Sequence, residues 1–295
     1  MARSPAAEVD ISPELIRRLL RAQHPELADL PLTLVAHGWD NAMYRLGEQL
    51  VVRLPRRQLA AALIENEQRW LPEIADRVDV AVPRPIYFGR PTVDFPWHWS
   101  IARWFDGAAA STLPIDKRGR LASPLATFLT QLHTAAPADA PVNNFRGIPL
   151  ERRHRDVRSR LNSGIVPHAD AVSRIWDDAR TAPLWERPRV WLHGDLHPSN
   201  LLVDSNGDLA AVLDFGDITA GDPATDLAAA WLVFDPAGRD RFHSAVAEAR
   251  DVSDATWRRA RGWALVLATA LVTTSDDSPS HRRMGEQIID QLLLD

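Results

Sequence analysis

"WLHGDLHPSNLLV", residues 191–203, sets two His, one Asp and one Asn within the eight positions from His193 to Asn200. Two chemistries use such a string. Gly194 and Pro198 argue against a helix here, so His193 and His197 are not a helical metal pair. In an extended loop, however, His193, Asp195 and His197 alternate and could converge on a metal, as in a metallohydrolase. The second reading is phosphoryl transfer. The spacing H-x-D-x-x-x-x-N, met by His193, Asp195 and Asn200, supplies a carboxylate to orient an attacking hydroxyl and an amide oxygen for magnesium.

The residues that follow weigh the two. "NLLVD" and "LAAVLDF" flank Ser205-Asn206-Gly207-Asp208, and Asn-Gly between apolar runs predicts a hairpin. The hairpin would fold back the fourteen residues from Asn200 to Asp214. That brings the D-F-G element Asp214-Phe215-Gly216 to the same loop. Magnesium is hard and prefers oxygen ligands, which Asn200 and Asp214 provide, one neutral and one charged. A hydrolase would need further ligands, and only Asp204, Asp208 and Asp214 follow closely. Phosphoryl transfer is therefore the leading reading, with Asp195 as the catalytic carboxylate.

Outward from this loop the chain divides in character. Residues 12–23 predict a helix, with Ser12 as N-cap, Pro13 in the first turn and Leu15, Ile16, Leu19 and Leu20 on one face. Strands are expected at 32–38, 42–47 and 49–55, then a helix over 58–75 that Pro72 bends or ends. Two more strands fit 83–89 and 98–105. After Asp106-Gly107 the pattern is helical, at 119–134, 168–181, 224–234, 239–250, 254–274 and 281–294. The basic run "ERRHRDVRSRL" (151–161) reads as a helix with a solvated basic face, or as part of a site for a neutral or anionic acceptor.

Composition narrows the function classes. The 295 residues suffice for a sizeable core, and the chain has no cysteine, which excludes disulfides, thiolate zinc sites and cysteine nucleophiles. A net charge of −5 argues against nucleic acid as a partner. Lys117 is the only lysine, so a cation that grips phosphate is expected to be an arginine. The stretch MARSPAAEVD has no apolar core of a signal peptide, and WALVLATALV (263–272) is too short to span a bilayer. A cytoplasmic enzyme without membrane partner is expected. The oligomeric state is not legible.

"HGDLHPSNLL" (193–202) followed by "AAVLDFGDITAGDPATDLA" (210–228) resembles the aminoglycoside phosphotransferase family, the antibiotic kinases related in fold to protein kinases. "GWDNAMYRLGEQLVVRLPR" (38–56), "NEQRWLP" (66–72) and "FPWHWSIARWFDG" (95–107) resemble its N-terminal lobe and hinge. The likeness runs from about residue 30 to 235. It implies an α+β, two-lobed protein-kinase-like fold, with a small antiparallel sheet in the N-lobe and a larger, mainly helical C-lobe. Residues 1–104 would be the nucleotide-binding lobe ending in the hinge, and 105–295 the catalytic and acceptor-binding lobe.

The resemblance also implies roles. Asp195 would be the catalytic base, and Asn200 and Asp214 would hold Mg2+. Arg53, where such kinases usually carry lysine, would pair with Glu67 and face the phosphates of ATP or GTP. Gly38 to Ala42, including Asn41, would cover the phosphates, and Ile101 to Trp104, with Ala102 and Arg103, would read the base. His197 and Asp217 are candidate substrate contacts. Asp222 reads as an N-cap, with Pro223 in the first turn. Asp226 would reach back to hold the catalytic loop's backbone. The acceptor would be a hydroxyl of an aminoglycoside or similar natural-product antibiotic, with antibiotic resistance as the role. A sugar or amino alcohol is the metabolic alternative. Arg53 for lysine, and a "GWDNA" turn without G-x-G-x-x-G, keep open a nucleotide-binding regulator with weak turnover. Asp276, Asp277 and Glu286 could form an acidic wall.

Overall fold

The structure is a computed structural model that describes residues 6–37, 40–275 and 278–295. It opens with α1 (Pro13–Gln23), where the Ser12 hydroxyl accepts the Leu15 N–H at 3.2 Å. Leu15, Ile16, Leu19 and Leu20 are buried along one face, each such side chain stabilising by about 1.5–3 kcal/mol. Strands β1 (Leu32–His37), β2 (Asn41–Leu46) and β3 (Leu50–Pro55) follow, then α2 (Gln58–Ala75), β4 (Pro85–Gly89) and β5 (Trp99–Arg103). The strands form one antiparallel sheet in the order β1-β2-β3-β5-β4. Gly47, at φ +60°, turns the β2–β3 hairpin in a backbone region that favours glycine. Trp97, Trp99, Phe95, Val52 and the buried face of α1 make the core of this lobe.

The second lobe begins with β6 (Ala108–Ala109) and α3 (Ala122–Leu132), then α4 (His154–Leu161) and α5 (Ala169–Arg180). Short strands β7 (Val190–Leu192), β8 (Leu201–Val203), β9 (Leu209–Val212) and β10 (Thr219–Gly221) surround the catalytic-loop sequence. Helices α6 (Ala224–Leu227), α7 (Ala229–Val233), α8 (Pro236–Ala249), α9 (Asp254–Thr274) and α10 (Pro279–Leu293) complete it. The long α9 is the centre, with α4, α5, α6, α7 and α10 packed around it. No helix among the described residues is long and apolar enough to cross a membrane.

The expected α+β, two-lobed kinase-like architecture is therefore present, with some local differences. The helix expected over 58–75 is present as α2, which runs through Pro72 to Ala75. Proline in a helix interior costs about 3 kcal/mol, but Trp70, Leu71 and Ile74 around it are all buried in the core of the second lobe, and that burial outweighs the loss. Trp70 packs on Trp191 of β7 with ring centroids 5.1 Å apart, so α2 joins the two lobes. The helix expected over 224–234 is two short ones, α6 and α7, because this wholly buried segment follows its packing around α9 rather than helical regularity. Residues 151–161 do form a helical segment, its last eight residues being α4. Strands β6 and β10 are too short to leave a periodic signal; they pair with β8 and β7.

Candidate active site

The 191–203 stretch leaves β7, crosses a loop and enters β8. Asp226 fixes that loop from behind. Its carboxylate is fully buried. Oδ2 accepts the His193 backbone N–H at 2.8 Å and the His133 Nε2–H at 3.1 Å, and Oδ1 accepts the Gly194 N–H at 2.9 Å. Burial opposes charge on Asp226, but the hydrogen bond and charge of His133 and the loop amide prevail and lower its pKa. Burial lowers the pKa of His133 as well.

His193 spends both ring nitrogens inside the protein. Nδ1 accepts the Asp195 N–H at 3.2 Å, Nε2–H donates to the Leu213 carbonyl at 2.9 Å, and the ring packs on Phe215 at 4.6 Å between centroids. It has no lone pair left for a metal, and no metal-ligating cluster of three His, Asp or Glu occurs among the described residues. The Leu213 N–H in turn donates to the Asn200 carbonyl at 2.8 Å. The peptide before Asp214 is thus tied to both ends of the His193–Asn200 loop, as the hairpin spacing predicts.

Asp195, Asn200 and Asp214 consequently line one cleft of about 650 Å³ between the lobes, together with Asp217, Arg53, Asn41, Arg103 and Trp104. The Asn200 Nδ2–H2 donates to the Asp195 carbonyl at 2.9 Å, which leaves its Oδ1 for the cleft. Asp214 adopts φ +62°, left-handed backbone that Asp tolerates better than most residues. Its side chain is 58% exposed, so its oxygens are available. Across the cleft Arg53 forks onto Glu67 at 2.5 and 3.0 Å and lies 3.8 Å from Asp214. Burial disfavours the Arg53 charge, but Glu67 and Asp214 more than restore it.

Other expected residues fall at the margin. Glu67 sits behind Arg53 and is fully buried. Ala102 is buried in the sheet opposite Val51, and the Trp104 N–H is committed to the Gln49 carbonyl at 2.7 Å. Arg103, Trp104 and Phe105 all line the cleft, whereas Ala102 does not. His197 stands beside Asp195, Nε2 to Oδ2 3.4 Å, and its Nδ1 accepts the Ser199 N–H. Gly38, and with it much of the expected phosphate-covering turn, lies outside the described residues, as do Asp276 and Asp277. Glu286 pairs with Arg282 at 3.1 Å.

The sequence profile of a phosphotransferase enzyme family, APH, matches residues 31–263. The chain belongs to this family of phosphotransferases. An uncharacterized protein of Bacillus subtilis (strain 168), YcbJ, is 34% identical over 123 residues, which span 37% of this chain and only 37% of that protein's length. Among solved structures, the GDP complex of wild-type aminoglycoside 2'-phosphotransferase-IIIa is 20% identical, with a TM-score of 0.71 over 96% of this chain and 99% of that one. The macrolide 2'-phosphotransferase MphH of Brachybacterium faecium is 24% identical, with a TM-score of 0.61 over 92% and 96% of the two chains. At these identities the likeness speaks for the fold.

Two features of this phosphotransferase escape a reading of its motifs. One is Arg146, on the loop between α3 and α4, whose Nη2–H donates to Asp195 Oδ1 at 2.9 Å. Burial works against charge on Asp195, but Arg146 and then His197 hold the carboxyl well below the usual carboxylate range. For Asp217 burial prevails over Arg146 and raises the pKa; Asn143 donates to its Oδ1 at 2.7 Å. Nothing in "VNNFRG" marks Arg146, since the contact spans 49 residues. The other is the buried ion pair of Asp222 with Arg259 at 2.6 Å. Asp222 does cap α6, accepting the Ala224 N–H at 3.0 Å, yet it also anchors α9.

Proposed function

We propose that this phosphotransferase moves the γ-phosphoryl group of a nucleoside triphosphate, ATP or GTP, onto a hydroxyl of a small molecule. Natural-product antibiotics, the aminoglycosides and macrolides after which its structural neighbours are named, are the first class to test. One observation carries the reading: Asp195 and Asn200 of one loop and Asp214 beyond the hairpin face one cleft with Arg53, which Glu67 backs. In this reading residues 1–104 carry the nucleotide and 105–295 the catalytic and acceptor groups.

The donor set fits a magnesium ion. Asn200 offers an amide oxygen and Asp214 an exposed carboxylate, both hard ligands that leave room for water and phosphate oxygens. Bound there, the ion would neutralise phosphate charge. Arg53, kept charged by Glu67, faces the same phosphates. Asp195 is ionised throughout the physiological range; Arg146 holds its Oδ1 at 2.9 Å, and Oδ2, in longer contact with His197 at 3.4 Å, is the oxygen that accepts the hydroxyl proton. The freed oxygen attacks the γ-phosphorus, the bond to the β-phosphate oxygen breaks, and a nucleoside diphosphate leaves. Catalysis here is mainly positioning and charge stabilisation.

The test is magnesium-dependent turnover of ATP and GTP with an acceptor panel, read by mass spectrometry for added phosphate. Acceptor-dependent phosphorylation is expected. Nucleotide binding without transfer to any acceptor would favour the regulator instead.

A further inference from the structure

Arg146 is held rigidly. The next residue, Gly147, has φ +68°; its N–H donates to Thr225 Oγ1 at 3.1 Å, and its carbonyl accepts the Asp222 N–H at 3.2 Å. Clamped so, Arg146 sends its guanidinium between two carboxylates, 2.9 Å from Asp195 and 3.6 Å from Asp217. Among the described residues, Arg146 and Asp195 are the only two shared by the cleft and a narrow cavity of about 20 Å³ lined by the second lobe alone. The far wall of that cavity is apolar: Leu232, Trp263, Val266 and Leu267. The Trp263 indole N–H is buried there without a hydrogen-bond partner.

The charge behind Arg146 is positive too. Arg153 stacks over Phe145 at 5.3 Å, with its carboxylate partner Asp156 at 3.1 Å. Burial lowers the pKa of Arg153 and Arg160, and neighbouring arginine charge, Arg146 on Arg153 and chiefly Arg153 on Arg160, lowers both further. A polyamine needs unpaired carboxylates. Here Asp195 and Asp217 face Arg146, and Asp156 faces Arg153.

We propose that Arg146 is a specificity-determining residue of the acceptor site. It cancels the negative charge that Asp195 and Asp217 would present and so selects an uncharged or anionic hydroxyl acceptor over a polycation. The inference rests on the kinase reading above and narrows its substrate class. Arg146 holds Oδ1 while Oδ2, 3.4 Å from His197 Nε2, meets the hydroxyl, so discrimination and proton acceptance use different oxygens of one carboxylate.

Kanamycin, a polycationic aminoglycoside, is the probe, titrated calorimetrically into enzyme saturated with magnesium and a non-hydrolysable ATP analogue. Removing one positive charge beside a bound polycation strengthens binding by about tenfold or more. Arg146→Met and Arg146→Gln are therefore expected to bind kanamycin at least about tenfold more tightly than wild type, whereas Arg146→Lys stays like wild type. In wild-type enzyme, added salt screens the repulsion, so kanamycin affinity is not expected to fall with ionic strength. This second measurement stands even where a variant does not fold. Wild-type binding as tight as that of Arg146→Met, or wild-type affinity that drops steeply with salt, overturns the inference. Failure of the analogue itself to bind would instead strike at the kinase reading.

Discussion

The Asp226 carboxylate accepts the backbone N–H of Gly194 at 2.9 Å across 32 residues of sequence. With the adjacent His193 N–H, it fixes the direction in which Asp195 leaves the loop. Hydrogen bonds to a charged group contribute about 1.5–3 kcal/mol, and unpaired buried donors cost about 1–3 kcal/mol each. Asp226→Ala is therefore expected to lower stability by about 2–5 kcal/mol in urea denaturation, and to lower kcat at temperatures where the variant remains folded. Unchanged kcat would show that the loop holds its shape without this anchor.

Arg53 and Glu67 form a buried pair, at 6% and 1% side-chain exposure. Removing one partner leaves an uncompensated charge and costs about 3–5 kcal/mol. Arg53→Met alone should be that destabilised, whereas the double variant Arg53→Met/Glu67→Met should recover most of the loss. Only the first arm reports on folding. Nucleotide affinity, measured by titration, should stay weak in both, because neither restores a cation facing the phosphates. Recovery of affinity in the double variant would contradict the role given to Arg53.

Burial lowers the folded-state pKa of His133 below its ordinary 6.5, although Asp226 opposes the shift. Between those two values the unfolded chain binds more protons, so stability rises with pH up to about 6.5 and levels off above it. It falls on acidification through that window. His243, whose pKa burial lowers too, adds to the same trend. The lowered pKa of Asp226 acts further to the acid side, its contribution being lost only below the ordinary carboxylate value of 3.8. The urea midpoint of His133→Gln should therefore change less between pH 5 and 7, about the range of ordinary histidine titration, than that of wild type. Equal slopes would remove His133 from the account.

Much of the site was legible in the sequence because it is built from local spacing. The Asn206-Gly207 turn dictates the hairpin, and the hairpin returns Asp214 to Asn200. The Asp222-Pro223 start of a helix is likewise a local rule, met at α6. The paired strands of the N-lobe follow from alternating apolar runs. What stayed hidden depends on contacts between distant segments. Arg146 reaches Asp195 only because Gly147 packs against Gly221, where a side chain at Gly221 would lie 2.2 Å from the Gly147 carbonyl oxygen. Arg259 meets Asp222 across 37 residues, and no period in the sequence records it. The helix over 58–75 runs through Pro72 because tertiary burial of Trp70, Leu71 and Ile74 outweighs a local preference.

The most direct test of the central claim is paired kinetics and binding on Asp195→Ala. The account predicts that phosphoryl transfer falls by at least about 100-fold, the usual worth of a positioned base, while affinity for the magnesium–nucleotide complex is retained. Asp214→Ala, by contrast, should lose that affinity. Full transfer by Asp195→Ala would contradict the assignment on which everything else here is built.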